Sequence, residues 1–322
     1  MSFPVYSIIV PVYNRPQEVD ELLQSLTYQT YTNFEVVIVE DGSTLSSEEV
    51  VKKYTGQLSI QYVVKPNTGP GPSRNVGFDK ANGEYLVVFD SDCIIPEHYL
   101  MAVEKFLSQN NVDAWGGPDR GHSDFTLLQQ AMGYTMSSFL TTGGIRGGKK
   151  SVGWFQPRSF NMGMRRSVFE KTRGFVFDRY AEDIELSIRM KKMGFKTALI
   201  PDAYVYHKRR TTFGQFFKQV SNFGKGRVLV GKAHRGEVKM THWFPTLFLL
   251  GLVITPLLVV FAPALGKLAL AGYVLYFVAI AIDAFAQTKS PAVAVLSIPS
   301  AFIQLTGYGW GFLKEYGGAK KG

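Results

Sequence analysis

The stretch YLVVFDSDCIIP, residues 85–96, ends an apolar run with two carboxylates. Leu86 to Phe89 are apolar, as expected for a strand buried in a sheet, and Asp90 and Asp92 follow at once. Because alternate residues of an extended chain face the same side, both carboxylates are expected to approach one divalent cation. Such oxygen ligands suit Mg²⁺ or Mn²⁺. A solvated turn is the competing interpretation, since Asp is common in turns.

Similar apolar runs precede this one, and helical patterns separate them. The predicted strands are YSIIVPV, FEVVIVED, LSIQYVVK and EYLVVFDSD, and the predicted helices cover residues 16–27, 46–54 and 73–81. This alternation predicts an α/β fold with a mostly parallel central sheet and crossover helices. Ligands bind such sheets beyond the carboxyl ends of the strands, which is where Asn14, Asp41 and Asp92 lie.

A second acidic pair occurs in RYAEDIELSIRMKKMGF, residues 179–195. The pattern predicts a helix with Glu182 and Asp183 in its first turn. Acids at that position stabilise a helix by about 0.3–1 kcal/mol, which is one explanation of the pair. The alternative is a general base that takes a proton from an acceptor hydroxyl. The residues alone leave both interpretations open.

A last strand is predicted within ALIPDAYVYHKRR, ending at His207. His207 is a candidate to complete the ligands of a cation, although a lone histidine is more often structural. The basic residues after it, Arg209 and Arg210 among them, are candidates for binding a diphosphate. No P-loop, nucleophile elbow or paired zinc cysteines occur, and the single Cys93 excludes an internal disulfide.

The chain has 322 residues and a formal charge of +9, and much of that charge lies in residues 208–239. Glu237 is the only acid in this segment, and apolar residues recur there at helical spacing. The pattern predicts an amphipathic helix in a membrane interface, with an ordinary surface helix as the alternative. Because the charge is next to apolar segments and no binding motif occurs, nucleic acid is not an expected partner.

Three apolar segments follow, residues 243–262, 268–282 and 292–312, each close to the length that crosses a bilayer. Buried helices of a soluble domain are the alternative. Glycines and Pro299 in the third segment favour a broken or re-entrant helix there. The expected domains are a catalytic domain (1–210), an interfacial segment (211–242), a transmembrane region (243–314) and a tail (315–322). The basic segment places residues 1–242 in the cytoplasm, at a bacterial inner membrane.

Five blocks of this sequence resemble, in order, the family 2 glycosyltransferases. They are SIIVPVYNRP, VVIVEDGS, GPGPSRNVGFDKANGEYLVVFDSD, FNMGMRRSVFEKTRGF and AEDIELSIRMKKMGF. The resemblance covers roughly residues 5–210 and implies the GT-A fold. It also implies transfer of a sugar from a nucleotide-sugar donor, with inversion of the anomeric centre.

The resemblance further implies roles for particular residues. Those expected to bind the nucleotide-sugar are Pro11, Tyr13, Asn14, Asp41, Arg74 and Asp90. The metal is expected to be Mg²⁺ or Mn²⁺, with Asp92 as the direct ligand, Asp90 nearby and His207 as a late ligand. Asp183 matches the catalytic base, with Glu182 beside it. Asn161 and Met162 lie in the block that lines the sugar and acceptor cleft.

Processive polysaccharide synthases of this family carry Q-x-x-R-W after the second acidic pair. Here Phe216, Phe217, Lys218 and Gln219 follow Gln215, and no tryptophan follows an arginine. The expected activity is therefore addition of one sugar, from a UDP-sugar by preference, to a lipid-linked or glycan acceptor among membrane lipids. The alternatives are a processive synthase, a nucleotidyltransferase, or a non-catalytic membrane scaffold with a degenerate transferase domain.

Overall fold

The computed structural model of the chain describes residues 4–120, 125–142, 155–207 and 210–318. The chain divides into two compact units, one of Met1–His122 with Lys150–Lys208 and one of Ser123–Lys149 with Arg209–Gly322. Residues 125–142, which the sequence prediction included in the catalytic domain, therefore group with the C-terminal unit.

Strands and helices alternate through the first part of the chain, as the sequence predicts. The strands are β1 (Tyr6–Val12), β2 (Phe34–Asp41), β3 (Ile60–Lys65), β4 (Tyr85–Phe89), β5 (Cys93–Ile94), β6 (Ala114–Gly116), β7 (Asp119–Arg120), β8 (Asn161–Arg165), β9 (Thr197–Leu199) and β10 (Val205–His207). The helices are α1 (Pro16–Thr27), α2 (Glu48–Lys52), α3 (Pro70–Lys80), α4 (Tyr99–Gln109), α5 (Leu127–Ser137), α6 (Phe139–Thr142), α7 (Arg166–Thr172), α8 (Glu182–Lys192), α9 (Phe213–Ala233), α10 (Phe244–Phe261), α11 (Pro263–Thr288) and α12 (Pro291–Gly317). A 3₁₀ turn, Met240–Trp243, precedes α10.

The first unit is built on a seven-stranded sheet with the order β3-β2-β1-β4-β8-β6-β9. Strands β1 to β4 pair with one another in parallel, whereas β8 is antiparallel to both β4 and β6. Ile8 and Ile9 belong to different apolar clusters, because successive side chains of β1 point to opposite faces and helices cover both faces. A strand buried on both faces needs the near-continuous apolar run that the sequence shows.

A small sheet, β5-β10-β7, brings the end of the first unit back to the residues that follow β4. His207 in β10 pairs with Cys93 in β5. The sequence predicted one last strand ending at His207, but the structure has two. β9 joins the large sheet and β10 joins the small one, because residues 200–204 leave the first sheet at Pro201.

The second unit is helical, and three of its helices are long and apolar enough to cross a membrane: Met240–Phe261, Pro263–Thr288 and Pro291–Gly317. The third is one continuous helix with Pro299 inside it, not the broken helix that its composition favours. The amphipathic helix predicted from the basic segment is α9. Much of its apolar face packs inside this unit, since Phe216 and Val220 are buried with Met132 of α5.

Glycines allow α9 and α12 to pack with their backbones close together. A Cβ atom added at Gly311 would lie 1.9 Å from the carbonyl oxygen of Ser221, and one at Gly224 would lie 2.1 Å from that of Tyr308. Small residues at such positions are a common means of close helix packing in membrane proteins.

The Gly311→Ala variant is therefore expected to destabilise the helical unit by about 1–3 kcal/mol, the usual effect of overpacking. Gly317→Ala, on the same helix, is the matched control, since a Cβ at Gly317 meets nothing within 4 Å. Thermal unfolding of the purified protein in detergent measures both variants. Equal melting temperatures for the two variants would contradict the close packing.

Candidate active site

The chain turns immediately after β4, and this turn separates the two carboxylates of the D-x-D motif. The N–H of Cys93 donates to the carbonyl of Asp90 at 3.1 Å. Asp90 Oδ1 accepts from Arg74 Nη2 at 2.7 Å, whereas Asp92 Oδ1 lies 3.0 Å from His207 Nε2. The alternation of an extended strand no longer applies after Phe89, so the two carboxylates do not share their nearest partners.

Asp92, Cys93 and His207 form a group whose potential ligand atoms all lie within 4.8 Å of one another. Burial raises the pKa of the Cys93 thiol well above its usual value, which keeps the thiol protonated and a poor metal ligand. Burial alone would lower the pKa of His207, but the charge and hydrogen bond of Asp92, together with the charges of Asp90 and Asp119, outweigh burial and raise the pKa. A carboxylate oxygen and an imidazole nitrogen remain as the donors; the carboxylate suits Mn²⁺ or Mg²⁺, whereas imidazole is the more common ligand of Zn²⁺ and other transition metals.

Arg74 connects the two acidic motifs of the sequence. Its buried guanidinium donates to Asp90 at 2.7 Å and to Glu182 at 2.8 Å, across 108 positions of sequence in the second case. It also lies 5.3 Å from the centre of the Phe175 ring. The D-x-D turn and the start of α8 therefore belong to one polar cluster beyond the carboxyl ends of the parallel strands.

The two acids at the start of α8 have different surroundings. Glu182 is buried, and its burial raises its pKa to about 7 although the charge of Arg74 opposes this shift. Asp183 Oδ1 accepts from the N–H of Ile184 at 2.8 Å, and its Oδ2 lies 3.6 Å from Arg158 Nη1. The Asp183 side chain is 15% exposed. The Glu182 side chain is 10% exposed, so Asp183 is slightly the more accessible of the pair, and Glu182 is held by Arg74.

Two of the predicted nucleotide-binding residues use their side chains to hold loops at the strand ends. Asn14 has a φ of 55°, and its Oδ1 accepts from the N–H groups of Thr44 at 2.8 Å and Leu45 at 2.9 Å. Asp41 accepts from the N–H groups of Thr68 and Gly69, both at 2.9 Å, and from the ammonium group of Lys65.

These contacts have consequences for the residues around them. Bonds from Lys65 and the two backbone N–H groups lower the pKa of Asp41 in spite of its burial. Lys65 was missed by the sequence reasoning, although it is the last residue of the predicted third strand. Pro11 lies within β1, and Tyr13, which follows that strand, is 51% exposed.

Asn161 and Met162, which the resemblance places in the sugar and acceptor cleft, are buried residues of β8, and their part in that cleft stays a prediction. Both side chains are fully buried because β8 lies between β4 and β6. Asn161 accepts from the hydroxyl of Tyr99 at 2.6 Å and donates to the carbonyl of Ala203 at 2.9 Å. Tyr99 and Arg158 are neighbours of predicted site residues that no sequence motif indicated.

The predicted phosphate-binding arginines are Arg209 and Arg210, which follow His207 closely in the sequence. Arg209 lies outside the described residues. Arg210 is described, partly buried, and precedes α9 in the second unit. Their proposed contact with a diphosphate therefore stays a prediction.

Replacing Arg74 with Met is expected to destabilise the first unit by about 3–5 kcal/mol, because it leaves Asp90 and Glu182 without their shared cation. Arg74→Lys should have a smaller effect, since an ammonium group retains the charge but not the fork of donors. Lys105→Met, on the exposed side of α4, is the control. Denaturant unfolding followed by tryptophan fluorescence measures the free energy of unfolding of each variant. An unfolding curve for Arg74→Met like that of Lys105→Met would contradict the bridge.

Comparisons with known proteins agree with the blocks found in the sequence. Residues 7–173 match the family described as glycosyl transferase family 2. Glycosyltransferase AglE of Haloferax volcanii is 24% identical over 271 residues, which are 79% of this chain and 83% of that protein. The Staphylococcus aureus poly(ribitol-phosphate) beta-N-acetylglucosaminyltransferase TarS is 38% identical over 112 residues.

Several of the relatives match over only a small part of their own length. An uncharacterized glycosyltransferase of Rickettsia bellii is 39% identical over 105 residues, which are 33% of this chain but 15% of that protein. The match to TarS covers 34% of this chain and 20% of the relative. The chain thus corresponds to a small part of the length of these relatives.

Two solved structures resemble the fold over almost the whole chain. The mannosyltransferase PcManGT from Pyrobaculum calidifontis, in complex with GDP-Man and Mn²⁺, gives a TM-score of 0.60 at 18% identity, over 98% of this chain and 88% of that one. S. aureus TarS 1–349 in complex with UDP-GlcNAc gives 0.51 at 20% identity, over 97% and 91%. At these identities the likeness establishes the fold, which is the GT-A type of α/β fold.

Proposed function

Since this chain belongs to glycosyl transferase family 2, we propose that it transfers a sugar from a nucleoside diphosphate to a lipid-linked acceptor at a membrane. The observation that carries the proposal is the Arg74 bridge. One guanidinium bonds both Asp90, which is expected near the nucleotide-sugar, and Glu182, which neighbours the expected base Asp183. Acids that are far apart in the sequence therefore form one cluster.

Asp183 is proposed as the general base. The acceptor hydroxyl forms a bond to the anomeric carbon while the bond from that carbon to the diphosphate oxygen breaks, and Asp183 takes the hydroxyl proton. A single displacement of this kind inverts the anomeric centre and requires no nucleophile from the protein. The partial exposure of Asp183 supports the role, and the bond between Glu182 and Arg74 makes Glu182 a positioning residue.

Asp92 and His207 are proposed to hold Mg²⁺ or Mn²⁺. A cation bound there supplies positive charge against the diphosphate that leaves. The carboxylate of the cluster supports this assignment, and PcManGT, which shares the fold, is described in complex with Mn²⁺.

The donor nucleotide is left as UDP or GDP. The sequence favoured UDP because Asp41 suits a uracil imide, but the Asp41 carboxylate already accepts from Thr68, Gly69 and Lys65. TarS is described with UDP-GlcNAc and PcManGT with GDP-Man, so the fold accommodates both nucleotides.

The acceptor is proposed to be a polyprenyl phosphate or a lipid-linked glycan that receives one sugar per encounter. Three apolar helices in the same chain support an acceptor that is itself held in the membrane. The concentration of basic residues in positions 208–239 supports a cytoplasmic site, with the donor taken from the cytosol.

The test uses the full chain reconstituted in lipid nanodiscs with Mn²⁺ and a panel of UDP- and GDP-sugars, with and without lipid extract. We expect one donor to release nucleoside diphosphate and its radiolabelled sugar to enter the organic phase only when lipid extract is present. The Asp183→Asn variant is the negative control. Absence of turnover with every donor would contradict the proposed activity, and label in a soluble product alone would contradict the lipid acceptor.

A further inference from the structure

The three apolar helices do not make equivalent use of their length. In the most apolar 18-residue stretch of each helix, the buried share is 22% for Met240–Phe261, 11% for Pro263–Thr288 and 44% for Pro291–Gly317. Large exposed apolar side chains, such as Val253, Leu257 and Leu268, follow one another along α10 and α11. A surface of this kind suits direct contact with lipid, and α12 has less of it.

Helices α10 and α11 form an antiparallel hairpin. The hydroxyl of Tyr273 donates to the carbonyl of Phe248 at 2.9 Å, and a Cβ at Gly266 would lie 2.4 Å from the backbone nitrogen of Val259. Phe248 is near the start of α10, and Val259 is near its end. These contacts fix which residues of the two helices lie at the same depth.

Helix α12 runs antiparallel to α11, with the Phe302 ring 6.4 Å from the ring of Phe277. Because α11 continues about 22 Å past Tyr273, α12 begins well outside the stretch in which α10 and α11 face each other. The Phe312 ring, about 30 Å along α12 from Pro291, lies 4.8 Å from the ring of Trp243, which immediately precedes α10. A Cβ at Gly309 would lie 2.5 Å from the carbonyl oxygen of Pro245. The last third of α12 is therefore level with the beginning of α10.

Helix α9 runs beside this same part of α12, and it carries Lys218, Lys225, Arg227 and Lys232. The ammonium group of Lys232 bonds Glu315 Oε1 at 2.8 Å, while Gly311 and Gly224 bring the two backbones together. Each basic residue costs about 2.5–3.5 kcal/mol at the centre of a bilayer, so four of them amount to about 10–14 kcal/mol. The paired segments of α9 and α12 therefore do not lie in the hydrocarbon core.

We infer that only α10 and α11 cross the bilayer, and that α12 lies with α9 at the level of the lipid headgroups. The chain then enters and leaves the membrane on one side. Within the second unit, Arg210 and Gly318 then lie on that same side, whereas a three-span arrangement would separate them. The tryptophan and tyrosine rings where α12 meets the start of α10 suit a headgroup position, because such rings concentrate at the membrane interface.

Single cysteines in the full chain test the topology. Asn110→Cys reports the side of the first unit, Phe261→Cys reports the turn between α10 and α11, and Tyr316→Cys reports the end of α12; all three sites are exposed. Spheroplasts from a bacterial host are treated with a membrane-impermeant maleimide, either intact or after lysis. Native Cys93 is buried, and the unmodified chain gives its background.

The Phe261→Cys variant is expected to label in intact spheroplasts, and the Asn110→Cys and Tyr316→Cys variants only after lysis. Labelling of Tyr316→Cys in intact spheroplasts, or the same pattern for all three variants, would overturn the inference. Where a cysteine variant fails to accumulate in the membrane, C-terminal fusions decide instead. Two spans are supported if the fluorescent-protein fusion fluoresces and the alkaline phosphatase fusion is inactive. An active alkaline phosphatase fusion with a dark fluorescent-protein fusion would overturn the inference.

Discussion

The Asp183→Asn variant is expected to lose about 10²- to 10⁴-fold in the rate of sugar transfer, the usual contribution of a positioned general base. An asparagine amide oxygen can still accept from the N–H of Ile184, so the start of α8 should keep its geometry. The amide cannot take a proton from the acceptor hydroxyl. The loss should therefore appear in kcat, with the KM for the nucleotide-sugar nearly unchanged.

A pH–rate profile separates this role from a structural one. Loss of a general base should remove the acidic limb of the profile, whereas a merely destabilised protein would keep the limb at lower amplitude. Asp202→Asn, an exposed acid in the loop before β10, is the matched control and should behave as the unmodified protein. If Asp183→Asn retains activity within about threefold, the base lies elsewhere, and Glu182 becomes the next candidate.

The same variant bears on the competing functions. A non-catalytic scaffold would show no transfer in the unmodified protein and no effect of Asp183→Asn. A processive synthase would convert each acceptor into a ladder of products, whereas transfer of one sugar gives a single product. Gln215 opens a segment without the Q-x-x-R-W pattern, which favours the single product.

Local patterns predicted much of the first unit because local forces determine those parts. The bounds of β1 and α1 coincide with the prediction, since an apolar strand buried on both faces and an amphipathic helix each have a distinct period. The parallel sheet followed from the alternation of strands and helices. The order of the five sequence blocks indicated the family, and the structure and comparisons agree with it.

Contacts between distant segments were beyond reach of the sequence. The pairing of Arg74 with Glu182 depends on how α8 returns to the sheet, and no local period encodes this. Met162 belongs to the sequence block that is expected to line the cleft, and its burial depends on the strands on either side of β8, which no local pattern predicts. The course of α12 is a similar case, because its composition suits a span while its neighbour α9 carries the charges that exclude one.

Removal of the divalent cation is expected to abolish transfer, and Asp92→Asn should weaken Mn²⁺ binding by more than about 100-fold, beyond the 10- to 100-fold typical of residues that only support a ligand. Asp92 Oδ1 lies 3.0 Å from His207 Nε2, its side chain is only 10% exposed, and it supplies the carboxylate of the cluster with Cys93 and His207. Electron paramagnetic resonance of Mn²⁺, with nucleoside diphosphate present, measures the affinity without relying on activity. Excess EDTA followed by Mn²⁺ should switch transfer off and on.

Asp90→Asn distinguishes the two carboxylates of the D-x-D motif. Asp90 bonds Arg74 at 2.7 Å, so its removal should raise the KM for the nucleotide-sugar while the affinity for Mn²⁺ changes little. Alternation along a strand instead predicts equal losses of Mn²⁺ affinity for Asp90→Asn and Asp92→Asn, because both carboxylates would then face one cation. Equal losses of Mn²⁺ affinity would mean that the turn after Phe89 rearranges when the metal and nucleotide bind. Transfer activity that persists in excess EDTA would show that the mechanism does not use a metal.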